Sequence, residues 1–474
     1  MIRSFLICIL AAGVLTGEIG SQPFENGDVV GFCGDSITHA EYSEINYTHV
    51  LYNYYVTHMP EEEIELRNLG VGGARIINGL ELYGRDPAAA GLDKAVLEYG
   101  INDLNAGYYE NEAVYEESGE ERKNNLEEYR GNLSAFLKEL HEDAIGGENI
   151  YITTLALPGS EDEQSKEIPD AAAALAREGY GEISEIARET SREQGIGLVE
   201  FQNPLTELAQ TLSREEIMEE DNLHVNTNGQ IYLAYLFLQQ QGALRDVSRV
   251  EIEKGSISSD NARAFNLHYK DGYLYYDYQP HCLPMGISEE YREADAVLNI
   301  LDEMSREIIQ VKDLQEDAVY DIYINGEQIG SYEGADFAEG VNIANLAENP
   351  AQKYAVIIEQ MNRGRRVTEL AYRKQVQNST DCGSGRVTEE ELAEAYETWR
   401  EEDAAYRRSM YELAQEGIRV TKRVAVVRRG AQVPEAAFFV PGRNYKKIAA
   451  VIMIFVTGAA AAVVFYAKRK KRKQ

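Results

Sequence analysis

The first half of this 474-residue sequence predicts an α/β domain, a parallel sheet with helices on both faces. Two observations carry that reading. Short apolar runs alternate with longer amphipathic ones from residue 28 to residue 245. Alternation sustained over such a length builds strand–helix–strand crossovers rather than hairpins. The first and third apolar runs also end in short polar segments, GDS and GIND, at the strand ends where parallel sheets gather reactive groups.

The elements follow in order. DVVGFCGD (28–35), EIELRNLG (63–70), KAVLEYGIND (94–103), ENIYITTLALP (148–158) and GIGLVEFQ (195–202) are the strands. Residues 45–58, 122–141, 170–194 and 228–242 have helical spacing between and after them. The domain so defined covers 22–245. Beyond it the texture changes. SRVEIEKGSI, AFNLHYKDGYLYYDYQP and EIIQVKDLQEDAVYDIYINGEQIGSYEG are strand-like, with turn signals at Lys270-Asp271-Gly272 and Asn325-Gly326. A small β-rich module is expected over 246–375. A helical segment and stalk follow over 376–445, including a charged amphipathic helix at 387–417 that holds the only tryptophan, Trp399, on a packing face.

The ends are specialised. Residues 1–21 run from Arg3 through an apolar stretch into small residues, the layout of a secretory signal. Residues 446–468 include twenty uncharged positions, Ile448 to Ala467, followed by a basic tail at 469–474. That length matches a hydrocarbon core of about 30 Å, and the positive tail belongs on the cytoplasmic side. The expected localisation is therefore the cell membrane, single-pass, with the catalytic domain outside. The net charge is −34, and since KRKKRK (468–473) carries +6, the remainder carries −40. Such an acidic body excludes nucleic acid and is repelled by anionic lipid. Cys33, Cys282 and Cys382 remain after the signal, enough for one disulfide at most, with Cys33 read as a buried thiol. The triplets NYT (46–48), NLS (132–134) and NST (378–380) fit glycosylation acceptors.

The chemistry starts from Ser36 in GFCGDSITHAEY (31–42). A serine hydroxyl is a weak nucleophile until a base takes its proton. Of the seven histidines, only His224 has an acid three positions earlier, Asp221 in EDNLHVNTNGQ. An Asp-x-x-His turn lets the carboxylate hold one imidazole nitrogen while the other faces the serine. A surface turn with a capping aspartate has the same spacing. Acyl transfer also needs donors aimed at the developing oxyanion. NLGVGGA (68–74) offers the backbone of Gly73, and GIND offers the side-chain amide of Asn102.

GDSITH, N-x-G-x-x-G, G-x-N-D and D-x-x-H-x-N, in that order, resemble the four signature blocks of the SGNH (GDSL-type) hydrolases. The resemblance implies a three-layer, flavodoxin-like fold and an ester hydrolase that uses no cofactor. It makes Ser36 the nucleophile, His224 the base and Asp221 its partner. Ser36 N–H, Gly73 N–H and the Asn102 amide become the oxyanion donors. The region ending at 320–352 resembles the accessory module of a bacterial subgroup with a GDSITH block, so the likeness spans roughly residues 24–375. Two positions depart from the family pattern. Val225 stands where proline is common after the histidine, and Ala74-Arg75 where Asp-Thr is common.

The implied activity is removal of short acyl groups, acetyl above all, from an acylated small molecule or glycan, on a chain whose other partner is the membrane. Tyr42, Tyr47, Tyr52, Tyr54 and Tyr55 could stack on sugars or pack the helix 45–58 against the sheet. Two alternatives stand beside it: a lipase or lysophospholipase of the same family, and a non-catalytic polysaccharide-binding surface protein.

Overall fold

The five apolar runs of the first half become five parallel strands. In the computed structural model, which describes residues 22–159 and 171–439, these are β1 (Val29–Gly34), β2 (Glu65–Asn68), β3 (Lys94–Glu98), β4 (Ile150–Thr153) and β5 (Gly197–Val199). Their order is β2-β1-β3-β4-β5. Every neighbouring pair is parallel. The chain moves outward one way from β1 and returns the other way from β3, so the topological switch point lies between these two strands. Ligands bind open α/β sheets in the crevice outside the strand ends at that point. Ser36 follows β1 and Asn102 follows β3, so the two residues flank it.

Helices Tyr47–His58 and Thr227–Gln240 pack together, while Ile76–Tyr83, Gly119–Glu142 and Ala171–Gln194 pack together as a second group. Right-handed crossovers put the two groups on opposite faces of the sheet. Helix Tyr47–His58 is unusual in being buried at all twelve positions. One side meets the sheet, and the other meets the C-terminal helix Pro350–Asn378. Tyr47, Tyr52, Tyr54 and Tyr55 are fully buried, so they are core residues, whereas Tyr42 is 40% exposed. Asn46 is also fully buried and caps this helix through His49 N–H (2.9 Å), which removes NYT as a glycosylation acceptor in the folded chain.

The second half builds two further sheets. Their strands are β6 (Ser248–Glu253), β7 (Ser256–Asp260), β8 (Ala262–Lys270), β9 (Tyr273–Pro280), β10 (Glu307–Val311), β11 (Val319–Ile324), β12 (Glu327–Glu333), β13 (Val341–Asn342) and β14 (Lys422–Arg428). One sheet is ordered β13-β10-β6-β7 and the other β12-β11-β14-β9-β8. They share a core of their own, which includes Ile252, Tyr276, Ile309, Ile322 and Val426. The β11–β12 hairpin turns at Asn325-Gly326, both left-handed (φ 52° and 85°), as a two-residue turn between twisted strands requires.

The segment read as helix and stalk is instead part of the body. Helices Pro350–Asn378 and Glu389–Arg419 form an antiparallel pair in which Trp399 stacks on Tyr372 at 5.0 Å. Their apolar faces belong to the same core as the five-stranded parallel sheet. The chain then returns to the β-rich region as β14, which lies between β9 and β11. Cys33, Cys282 and Cys382 are free thiols.

The expectation of a single-pass membrane protein does not hold, because no helix among the described residues is long and apolar enough to cross a membrane. The apolar segment 446–468 that carried it, the tail 469–474 and the signal-like residues 1–21 lie outside the described residues.

Candidate active site

Ser36 opens a short helix, Ser36–His39, directly after β1. Asp35 caps it, its carboxylate accepting from Ile37 N–H at 3.0 Å. The support beneath is buried and polar. Asp35, Thr38 and Glu98 are fully buried, and Thr38 Oγ1 donates to Glu98 at 3.0 Å while sharing a 2.9 Å hydrogen bond with Tyr47. Burial pushes Asp35 up to about 7 despite the Ile37 amide, and burial together with the Asp35 charge raises Glu98 well above the carboxylate range. One oxygen of each carboxyl, Asp35 Oδ2 and Glu98 Oε1, is buried without a hydrogen-bond partner, which favours the neutral acid. Gln230, fully buried, reaches over from helix Thr227–Gln240. It donates to Ile37 O and Tyr42 Oη and accepts from Tyr47 N–H.

His224 and Asp221 lie in a turn closed by a bridge between Met218 and Val225, just before the start of that same helix. His224 Nε2 is 2.8 Å from Ser36 Oγ. On its far side His224 Nδ1 is 2.6 Å from Asp221 Oδ2. Asp221 Oδ1 accepts the N–H groups of Leu223 (2.9 Å) and His224 (3.0 Å). Partial burial works to raise Asp221, but the hydrogen bonds from the His224 amide and ring and from the Leu223 amide outweigh it and hold the carboxyl below its ordinary value. Asp221 therefore stays anionic and fixes the tautomer with the proton on Nδ1, leaving Nε2 to accept from the serine. The departure at Val225 does not loosen this loop, since Val225 is fully buried and forms the bridge. The Tyr42 ring leans on the imidazole at 4.9 Å.

The glycine loop and the Asn102 turn close the other wall. Val71 N–H donates to Gly34 O (3.0 Å), which seats the loop beside β1. Gly73 has φ +78°, a left-handed conformation that favours glycine. Asn102 Nδ2 donates to Ala74 O at 3.1 Å, tying the two loops together. Asp103 accepts Ile76 N–H and anchors the helix that follows the loop. Among the described residues, neither Ser36 N–H nor Gly73 N–H has a protein acceptor. The structure thus joins Ser36, His224 and Asp221 in one hydrogen-bonded chain and sets Gly73 and Asn102 on adjoining loops across the switch point.

A polar cleft of about 500 Å³ adjoins Asn102, lined by Arg75, Asn105, Tyr108, Asn124 and Glu128 among others. No group of three His, Cys, Asp or Glu side chains among the described residues could hold a metal ion. Sequence reasoning missed the contribution of helix Pro350–Asn378. Arg366 donates to Ala40 O (2.6 Å) and Ser43 O (2.9 Å), and Arg373 donates to Leu69 O (3.0 Å) and Gly70 O (3.3 Å). The available signal was a polar stripe, Asn362, Arg366, Glu369, Arg373 and Gln377, at helical spacing in an otherwise packable helix.

The GDSL-like lipase/acylhydrolase family model matches residues 32–230. No curated protein matches the chain. Among solved structures, a gut microbial diltiazem-metabolizing enzyme is 21% identical with a TM-score of 0.73, over 86% of this chain and 100% of that one. An acetyl xylan esterase from Geobacillus stearothermophilus is 20% identical with a TM-score of 0.37, over 46% of this chain and 96% of that one. At such identity the first likeness is one of fold. The matched segment, residues 32–230, is a GDSL-like lipase/acylhydrolase domain that carries Ser36, Gly73, Asn102, Asp221 and His224, and with it the chain is a carboxylic ester hydrolase.

Proposed function

We propose that the chain cleaves short acyl esters, acetyl above all, from polyhydroxylated substrates of the carbohydrate class, with Ser36 as nucleophile. The observation that carries the reading is the unbroken chain Ser36 Oγ–His224 Nε2 (2.8 Å) and His224 Nδ1–Asp221 Oδ2 (2.6 Å). Ser36 Oγ attacks the ester carbonyl carbon as its proton passes to His224 Nε2. Asp221 stabilises the imidazolium, and the carbonyl oxygen, now anionic, meets Ser36 N–H, Gly73 N–H and the Asn102 amide. Collapse expels the alcohol, which takes the proton from His224. Water then attacks the acyl-enzyme, with His224 again as base, and releases the acid.

The substrate class follows from the walls. The cleft beside Asn102 is lined by amide, carboxylate, guanidinium and phenol groups, which suit hydroxyl-rich alcohols and offer little apolar surface to a fatty chain. The test is ester hydrolysis over a series of acyl lengths, with acetylated oligosaccharides beside simple esters and Ser36→Ala as control. Ser36→Ala should fold and lose turnover by roughly a millionfold. Acetyl esters should lead the series. Turnover retained by Ser36→Ala overturns the nucleophile, and preference for chains of about ten carbons or more turns the substrate reading toward lipids.

A further inference from the structure

Gly73 N–H is half of a peptide group whose other half is Gly72 C=O, and that carbonyl is held from a distant part of the chain. Gln377, near the end of helix Pro350–Asn378, donates from Nε2 to Gly72 O at 3.2 Å. In a trans peptide the C=O and the following N–H point in opposite directions. No cis peptide occurs among the described residues. Holding the Gly72 carbonyl on the Gln377 side therefore directs Gly73 N–H to the opposite side and polarises it. The preceding peptide is fixed as well, since Gly72 N–H donates to His39 Nδ1 at 3.3 Å. His39 accepts because it is neutral: burial, followed by the cations Arg373, Arg366 and Lys374, pushes it down to about 3. Gln377 has its own orientation set, because its Oε1 accepts from Lys374 Nζ at 3.0 Å and so leaves Nε2 for the carbonyl.

We propose that Gln377 is a positioning residue for the oxyanion hole, acting through the Gly72–Gly73 peptide. Helix Pro350–Asn378 is thereby part of the catalytic apparatus rather than a connection to the β-rich region. One turn earlier on the same face, Arg373 holds Leu69 O and Gly70 O, so the helix grips the loop at successive carbonyls up to the donor itself. An oxyanion donor works only if it is already aimed at the position the charge will occupy. Ala74 N–H closes a turn on Val71 O (3.1 Å), but its central peptide, Gly72–Gly73, can flip while the ends stay fixed, since left-handed Gly73 has no side chain to resist it. Gln377 supplies the restraint from outside.

The inference rests on the serine-hydrolase reading, and the experiment separates the two. Gln377→Met keeps length and removes the donor; Gln377→Glu turns a carboxylate oxygen toward the carbonyl. The full chain and both variants are compared for kcat, KM, rate of Ser36 phosphonylation and melting temperature, with Ser36→Ala as control. Gln377→Met should lower kcat and phosphonylation together by about tenfold, less than deletion of a donor because the amide is misdirected rather than absent. KM should stay within about twofold, and Gln377→Glu should lose more, since uniform binding is untouched while transition-state binding falls. Melting temperatures should match wild type, Gln377 being only half-buried near a helix end. Wild-type kcat in Gln377→Met, or a loss confined to KM, overturns the inference while an inert Ser36→Ala leaves the serine reading intact. Activity in Ser36→Ala overturns both.

Discussion

The two halves of the catalytic site are built by opposite means. The nucleophile stands on a fully buried polar foundation, Asp35, Thr38 and Glu98, roofed by Gln230 and braced by arginines more than three hundred residues away in sequence. The base sits in a turn whose bonds are nearly all local, with the Asp221 side chain 51% exposed and that of His224 22% exposed. Attack geometry on the serine side is thus a property of the tertiary fold. On the histidine side it is a property of a few consecutive residues and the bridge that brackets them. Substitutions on the first side should act on stability and function together, whereas those on the second should act on function alone.

The largest effect expected is at the local side. His224→Ala should cost roughly a millionfold in kcat, close to the loss of Ser36, because triad members act as a unit. Asp221→Asn should cost about ten-thousandfold by favouring the wrong tautomer. Both should melt within experimental error of wild type, and a depressed melting temperature in either would erase the contrast drawn above.

Next is the braced side. Arg373→Met removes the partner of Asp86, leaving a buried carboxylate with only Ala88 N–H and the Tyr372 hydroxyl. Breaking a buried pair in this way costs about 3–5 kcal/mol, read by denaturant unfolding, and kcat should fall as the Leu69 and Gly70 carbonyls come free. An unchanged stability would mean the arginine is not a brace.

The smallest effect tests the foundation itself. Asp35, with its carboxyl raised to about 7, and Glu98, raised well above the carboxylate range by burial and the Asp35 charge, bind a proton more readily folded than unfolded. Stability is therefore lost as pH climbs from the ordinary carboxylate range through the raised folded values, about 7 for Asp35. Glu98→Gln removes one of the two titrating groups, and its amide can still accept from Thr38. It should stabilise the fold by about 1 kcal/mol or more near pH 8, the worth of roughly one pKa unit, and hardly at all near pH 5. An equal shift at both pH values would mean that burial does not raise the Glu98 carboxyl.

The same contrast decides what the sequence made legible. Strands β1 to β5 and the helices between them follow from local periodicity, and the Asp221–His224 turn from three-residue spacing; each needs only neighbours in sequence to be recognised. Ser36 was legible for the same reason. The work of Gln377, Arg366 and Arg373 was not, because their partners lie in the first eighty residues and no periodic signal connects a helix face to a particular loop. β14 was mistaken for part of a stalk because a short apolar run between cations carries no trace of the two strands it joins. NYT failed as a glycosylation motif because a triplet does not report that Asn46 is enclosed by the fold.

The position of β14 governs how the molecule must be made. It is the last strand of the described residues, yet it occupies the middle of its sheet, with β9 on one side and β11 on the other. A nascent chain that has emerged only as far as the second C-terminal helix exposes two open strand edges facing an unfilled slot. Unpaired edges are templates for association with other chains, and pairing across so long a separation is slow. Completion of the β-rich lobe therefore waits for residues 422–428, after both helices that brace the hydrolase lobe have been made. The lobes are interleaved along the chain, and no single cut yields both of them whole.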